Sequence, residues 1–93
     1  MFDKLKQLKT FKEKAEQLKK ELNETVVEVN EGRGIKVVIT GTQDFRSIEI
    51  DAQRLGLEDK TGLEADLLQS LNTAIKRSQE IATQKMSAVM PRF

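Results

Sequence analysis

Between Thr25 and Asp51 the sequence contains three short runs in which apolar residues occupy every second position. Such alternation is typical of half-buried β-strands, because successive side chains of a strand point to opposite faces of the sheet. The segments between the runs, NEGRG and GTQD, contain turn-forming residues and are too short for the crossover that parallel strands need. The sequence therefore predicts a three-stranded antiparallel meander. Its apolar face consists of Val27, Val29, Ile35, Val37, Ile39, Ile48 and Ile50.

An amphipathic helix is predicted before this sheet, from about Asp3 to Asn23. Its apolar residues recur at alternating spacings of three and four, which is the heptad-like seam of a helix that packs against another helix. A helix at a membrane surface is the alternative, and the glutamates among its lysines make that alternative less favoured. The seam consists of Leu8, Phe11, Ala15, Leu18 and Leu22.

A second, longer helix is predicted after the sheet. It begins near Glu58 to Thr61 and continues to about Ala88, with Leu71 and Ile75 in its apolar stripe. Acidic residues crowd its first turns, and basic residues lie at or just past its end, which is the arrangement that the helix dipole favours.

A short connector, Ala52 to Leu57, joins the sheet to the second helix. Gly56 interrupts any longer helix there, and we expect Leu55 and Leu57 to pack under the sheet. The order of helix, antiparallel meander, connector and long helix predicts an α+β fold in a single domain that spans residues 1–93.

The small size of the chain predicts a homodimer. A chain of 93 residues buries only about 60–65% of the surface that it exposes when unfolded. Three short strands and two amphipathic helices also leave apolar surface that one copy does not cover. No apolar run approaches the length of a membrane span, and no cysteine is present for disulfides. We therefore expect a cytoplasmic protein that pairs with itself and has no membrane partner.

Charge is distributed unevenly along the chain, although the net charge is only +1. From Met1 to Lys12 four lysines accompany one aspartate, and from Lys76 to Phe93 four basic residues accompany one glutamate, so each end carries +3. The stretch from Glu49 to Asp66 carries −4. If the two helices run antiparallel, the basic ends meet at one tip and attract a polyanion there. Solvated helix faces are the alternative interpretation of the same charges.

The residue types that most often perform catalysis are missing. The chain has no histidine, cysteine, tyrosine or tryptophan, which removes the common general base, the thiolate nucleophile and the imidazole metal ligand. Glu49 and Asp51 share a strand face, but that face is opposite the apolar one and offers no pocket. We therefore expect no enzyme activity, catalytic residue, metal site, cofactor or small-molecule substrate.

Several segments match a known family in the same order of elements. GRGIKVVITG leads into the second strand, SIEID closes the third, and DLLQSLNTAIKRSQE lies in the long helix. Over nearly its whole length the sequence resembles the YbaB/EbfC family of nucleoid-associated DNA-binding proteins. It departs from the family pattern in its lysine-rich start, in Ala52 where a proline is frequent, and in its short tail. The matching residues include Ile50, Asp51, Asp66, Leu67, Asn72, Ala74, Lys85 and Met86.

The resemblance implies a homodimer whose sheets associate and whose helical arms bind duplex DNA at the nucleoid, with an effect on nucleoid organisation or gene expression. Together with the charge layout, it predicts that lysines and arginines of the arms contact phosphates. These DNA-binding candidates are Lys4, Lys6, Lys9, Lys12, Lys76, Arg77, Lys85 and Arg92. The candidates for core and dimer contacts are Val27, Val29, Val37, Ile39, Ile48, Ile50, Leu71 and Ile75.

Two other functions remain open from the sequence. One is a helical adaptor or chaperone-like protein whose arms clasp a partner protein, since an apolar seam also suits that role. The other is a regulatory subunit without DNA affinity of its own. Salt dependence separates DNA binding from apolar clasping, because phosphate contacts weaken steeply as salt rises.

Overall fold

The computed structural model of the chain describes residues 2–89, and side chains from residue 4 to residue 88. The predicted α+β order of helix, antiparallel meander, connector and long helix is confirmed. The elements are α1 (Phe2–Glu24), β1 (Val26–Val29), β2 (Ile35–Thr40), β3 (Phe45–Ile50), α2 (Ala52–Leu55) and α3 (Lys60–Val89).

The sheet has the order β1, β2, β3, and both pairs of neighbours are antiparallel. In the central strand, Val37 lies opposite Val29 on one side and opposite Ile48 on the other. The alternating apolar residues of the three strands therefore share one face, as predicted. Gly34 ends the first turn with a φ of 74°, a conformation that glycine adopts without the steric cost of a side chain.

The core lies between this apolar face and α3. Ser70, Ala74 and Ser78 follow one another at intervals of four residues on α3, and all three are fully buried. Their small side chains let the helix approach β2 closely, and the Ser78 hydroxyl donates a 2.7 Å hydrogen bond to the carbonyl oxygen of Thr40. The buried apolar cluster consists of Val27, Val29, Ile35, Val37, Ile39 and Ala74, with Ile50, Leu63, Leu67, Leu71, Ile75 and Ile81 packed against it.

Strand β3 lies outside the cover that α3 provides, because α3 packs across β1 and β2. Ile48 is 47% exposed and Phe45 is 42% exposed, although both lie on the side of the sheet that is apolar. No strand pairs with the outer edge of β3 within residues 2–89. One copy of the chain therefore leaves an apolar strip and a free strand edge in contact with solvent.

The prediction that Leu55 and Leu57 pack under the sheet is wrong, since they are 56% and 67% exposed. The buried residue of the connector is Arg54. Its Nη1 lies 2.8 Å from Oδ2 of Asp66 and donates to the carbonyl oxygen of Arg33 at 3.4 Å. Helix α2 is a single turn and directs one side chain inward, and Arg54 occupies that position because a carboxylate and a carbonyl group are there to receive it.

Helix α1 extends from the sheet as an arm, and the described part of the molecule measures 67 × 21 × 14 Å. The seam predicted along α1 is covered only near its end. Leu22 is 8% exposed and Leu18 is half-buried, whereas Phe11 and Leu8 are 48% and 66% exposed. The first half of the arm therefore presents apolar side chains that the rest of the described chain does not cover.

Helix α3 runs antiparallel to α1 and ends beside its middle. Ala88, near the end of α3, borders a shallow hollow together with Lys14, Gln17, Leu18 and Glu21 of α1. The first part of α3 lies on the sheet, so only its last turns are left to accompany α1. Within residues 2–89, the arm therefore consists of two helices at its base and of α1 alone further out.

Candidate nucleic-acid interface

Four predicted DNA-binding lysines lie on the outer half of α1, where this helix extends past the end of α3. All four are exposed, and none forms an ion pair with another side chain of the described range. With a rise of about 1.5 Å per residue, the first of them lies roughly 15 Å beyond the level at which Ala88 meets α1. The four are Lys4, Lys6, Lys9 and Lys12.

Among the described residues, the basic positions of the two helices do not coincide at one tip. The antiparallel helices bring the end of α3 onto the arm, as expected, but Lys85 lies near the base of the arm and is half-buried. Arg92 lies outside the described residues. The reason is geometric, because α3 uses its first turns to cover the sheet while the whole of α1 lies beside or beyond it. Among the described cations, those of α1 form the outer tip.

The two remaining candidates, Lys76 and Arg77, lie in the middle of α3 and differ from each other. Lys76 is exposed and forms no ion pair within residues 4–88. Arg77 is paired, because its Nη2 lies 2.6 Å from Oε1 of Glu31 in the loop between β1 and β2. The hydroxyl of Thr73 donates to Oε2 of the same carboxylate at 3.1 Å.

Acidic side chains gather around α2 and the start of α3, which is the end of the molecule away from the arm. A helix of 30 residues is about 45 Å long, so this acidic surface lies far from the last turn of α3. Repulsion therefore directs a polyanion toward the arm. The exposed acidic residues there are Glu49, Asp51, Glu58, Asp59 and Glu64.

The structure adds exposed cations at the base of the arm that the sequence analysis did not single out. Lys19 and Lys20 border a hollow of about 390 Å³ between α1 and the turn that precedes β3. Arg46 of β3 is exposed nearby, and its Nη2 donates to the Asn23 side-chain oxygen at 3.3 Å. The two lysines were not singled out from the sequence because glutamates lie among the lysines of α1. Arg46 precedes Ile48 and Ile50 at the same spacing of two, and the register between β2 and β3 shifts at this residue. Its position in that alternation was the signal that could have identified it.

The two carboxylates that the sequence placed on one strand face are separated, since Glu49 lies in β3 and Asp51 lies just after its end. Asp51 caps α2 by accepting the backbone N–H of Gln53 at 3.1 Å, and Glu49 is exposed. On the neighbouring strand, a 2.9 Å ion pair with Glu28 raises the pKa of Lys36 above its ordinary value, and the charge of Glu49 adds to this effect.

The described part of the chain has neither a cluster of metal ligands nor a helix that spans a membrane. No three histidine, cysteine, aspartate or glutamate side chains of residues 4–88 gather as a metal site. None of the helices, as far as the structure describes them, is both long enough and apolar enough to span a bilayer.

Fold and charge together define a small α+β protein whose helical arm presents exposed cations. The sequence model of the YbaB/EbfC DNA-binding family matches residues 1–93. The chain therefore belongs to this family, and the predicted family assignment is confirmed. The family is one of nucleoid-associated DNA-binding proteins rather than of enzymes.

Individual relatives agree with this assignment. A protein of Syntrophobacter fumaroxidans named nucleoid-associated protein is 30% identical over 89 residues, which cover 95% of this chain and 81% of the relative. A nucleoid-associated protein of Moorella thermoacetica is 33% identical over 86 residues, with 91% and 83% of the two chains covered. The crystal structure of an uncharacterized Helicobacter pylori protein superposes with a TM-score of 0.80, covers 90% of this chain and 89% of that one, and supports the fold alone at 22% identity.

Proposed function

We propose that this protein is a nucleoid-associated protein that binds duplex DNA as a homodimer, mainly through lysine and arginine contacts from its helical arms to phosphates. The observation that carries the proposal is the outer half of α1, where exposed lysines that have no ion-pair partner within residues 4–88 extend past α3. Its family and the names of its relatives support DNA as the partner and the nucleoid, in the cytoplasm, as the location. Its binding then affects nucleoid organisation or gene expression.

Lysine side chains suit contact with the DNA backbone. An ammonium group on a flexible stem interacts with phosphate as a point charge and reads no base, so we expect weak sequence preference. Each contact releases counterions from the DNA, which makes affinity fall steeply as salt rises. The proposed contact residues are Lys4, Lys6, Lys9, Lys12, Lys76, Arg77, Lys85 and Arg92.

The bare strand β3 supports the homodimer. Its side chains Phe45 and Ile48 are each more than two-fifths exposed, and its outer edge lacks a paired strand among the described residues. An isolated edge with apolar side chains is a template for pairing, and symmetric association of two copies removes both liabilities at once. We propose that each chain is a single domain, and that two copies associate through their sheets to form a dimer with two arms.

A second candidate function rests on the outer seam of α1. Leu5, Leu8 and Phe11 are 65%, 66% and 48% exposed and follow one another along the same arm as the lysines. Such a stripe suits an adaptor that clasps an amphipathic helix of a partner protein. In that case apolar burial, rather than phosphate contact, provides the affinity.

Titration of the purified protein with a labelled duplex at several salt concentrations tests the proposal. If phosphate contacts dominate, the logarithm of the association constant falls linearly with the logarithm of salt, with a slope of about −0.9 for each contact. Two duplexes of unrelated sequence serve as the control for base readout and should bind with similar affinity. Absence of binding at about 50 mM salt, or affinity that does not change with salt, contradicts the proposal.

A further inference from the structure

The loop between β1 and β2 is anchored at the two residues that follow Glu31. A Cβ placed on Gly32 would lie 2.7 Å from the Ser70 hydroxyl, so the loop backbone approaches the helix more closely than a side chain allows. The carbonyl oxygen of Arg33 receives the buried Arg54 guanidinium at 3.4 Å. Two contacts that do not involve the Glu31 side chain therefore fix where its carboxylate is presented.

The carboxylate of Glu31 takes up two donors on α3. One is Nη2 of Arg77 at 2.6 Å from Oε1, and the other is the Thr73 hydroxyl at 3.1 Å from Oε2. Thr73 and Arg77 are four residues apart, so their side chains lie on the same side of the helix. The Arg77 and Glu31 side chains remain 44% and 42% exposed, and a ligand reaches this donor pair from solvent.

We propose that Thr73 and Arg77 form a binding site for a DNA backbone phosphate, and that Glu31 occupies this site in the free protein and competes with DNA for it. The inference rests on the proposed function. A phosphodiester and a carboxylate both present two oxygens that share one negative charge, so the same guanidinium and hydroxyl donors serve either one. Arg77 was a DNA candidate from sequence, whereas the roles of Thr73 and Glu31 follow only from the contacts.

The competition is modest in size. A half-exposed ion pair is weak, so Glu31 lowers DNA affinity about two- to fivefold rather than abolishing binding at this site. It acts at high local concentration, because the loop holds it beside Arg77 whether or not DNA is present. Glu31 thus weakens one contact among several and shifts the balance toward the arm tips.

The first experiment compares duplex binding by the parent, Glu31→Gln and Glu28→Gln at fixed salt. Glu28 provides the matched control, since it forms an ion pair of 2.9 Å with Lys36, also at a half-exposed position, and its replacement removes the same charge. We expect Glu31→Gln to tighten binding about two- to fivefold and to make the salt slope steeper by about 0.9, with Glu28→Gln close to the parent. Equal tightening by both variants means a general charge effect and overturns the inference.

A second set of variants tests whether Glu31 acts through the proposed site. We expect Arg77→Gln to remove the gain from Glu31→Gln in the double variant, and Thr73→Val to weaken binding more in the Glu31→Gln background than in the parent. The melting temperature of each variant identifies a substitution that has disrupted the loop. If Glu31→Gln has this effect, the DNA affinity of Thr73→Val in the parent background, compared with that of the parent, provides the independent test of the site. A gain from Glu31→Gln that survives in Arg77→Gln overturns the site. A parent that does not bind duplex DNA contradicts the proposed function itself and this inference with it.

Discussion

Arg54 and Lys6 are both basic residues, but Arg54 is buried and Lys6 is exposed. Arg54, at the sheet end of the molecule, is 7% exposed and paired with Asp66. Lys6, on the outer arm, is exposed and has no ion-pair partner in the described part of the chain. The same division holds for apolar residues, which are buried around β2 and exposed along the outer half of α1. The sheet end uses its side chains for folding, whereas the outer half of the arm leaves them exposed.

The sheet repeats this contrast at a smaller scale. Val37 and Ile48 lie directly opposite each other on neighbouring strands, yet Val37 is fully buried and Ile48 is 47% exposed. The difference arises because α3 packs over one strand and not over the other. A single apolar face thus has one half that α3 covers and one half that remains exposed in one copy of the chain.

The largest effect is expected from Val37→Asp. A carboxylate at this fully buried position has no partner, and its desolvation costs several kcal/mol, at least about 4, out of the ~5–15 kcal/mol that stabilises a typical domain. Thermal unfolding followed by circular dichroism should show no cooperative transition. Val26→Asp, at a position on the same sheet that is 59% exposed, is the control and should fold. A folded Val37→Asp protein would mean that the core lies elsewhere.

Ile48→Asp should separate folding from association. In one copy the new carboxylate is partly hydrated, so helical content and cooperative unfolding should persist, whereas a sheet-to-sheet contact would bury it. Light scattering at increasing concentration should show a dimer for the parent and a monomer for the variant. A dimer that survives this substitution would place the contact between copies away from β3.

Replacing Lys4, Lys6 and Lys9 together by Gln tests the arm. We expect duplex affinity at about 0.15 M salt to fall about 10- to 100-fold for every sequence, and the salt slope to decrease by about 0.9 for each phosphate that the variant no longer binds. The melting temperature should stay the same or rise slightly, because positive charge near a helix start is mildly unfavourable.

A matched triple variant sharpens the arm experiment. Lys14, Lys19 and Lys20 are also exposed residues of α1, but they lie on the inner half near the sheet. Their replacement by Gln removes the same charge, and we expect a smaller loss of affinity if the tips hold the DNA. An equal or larger loss would move the binding surface into the cleft between the arms.

The smallest effect is expected from Glu28→Gln on stability. The pair with Glu28 raises the pKa of Lys36, so its contribution to stability is fully present below the pKa of the unfolded chain and is lost as pH rises through the higher folded value. Both groups are solvated, and the melting temperature at pH 7 should stay within about 3 °C of the parent. Any difference should disappear at pH values well above 10.5. A large loss of stability at pH 7 would show that this surface pair matters for folding.

Much of the fold was predictable because its signals are local. Alternation of apolar residues indicated all three strands, and their shared face follows from a side-chain period of two. The helix bounds differ from the predicted ones by about two residues at most, since periodic stripes and turn residues mark them. Leu55 and Leu57 were misplaced because hydrophobicity alone does not say which side chains of a one-turn helix, and of the turn that follows it, face inward.

Residue types and short spacings along the chain were enough to predict the order of elements, the antiparallel meander and the uneven charge, and the resemblance of several segments indicated the family. Which cations are paired and which apolar side chains are covered depends instead on tertiary packing. Arg77 contacts Glu31, which lies 46 residues away in the sequence, and α3 buries Val37 but leaves Ile48 exposed. These outcomes follow from how a long helix lies across a sheet, and the periodicity of neither element specifies that placement.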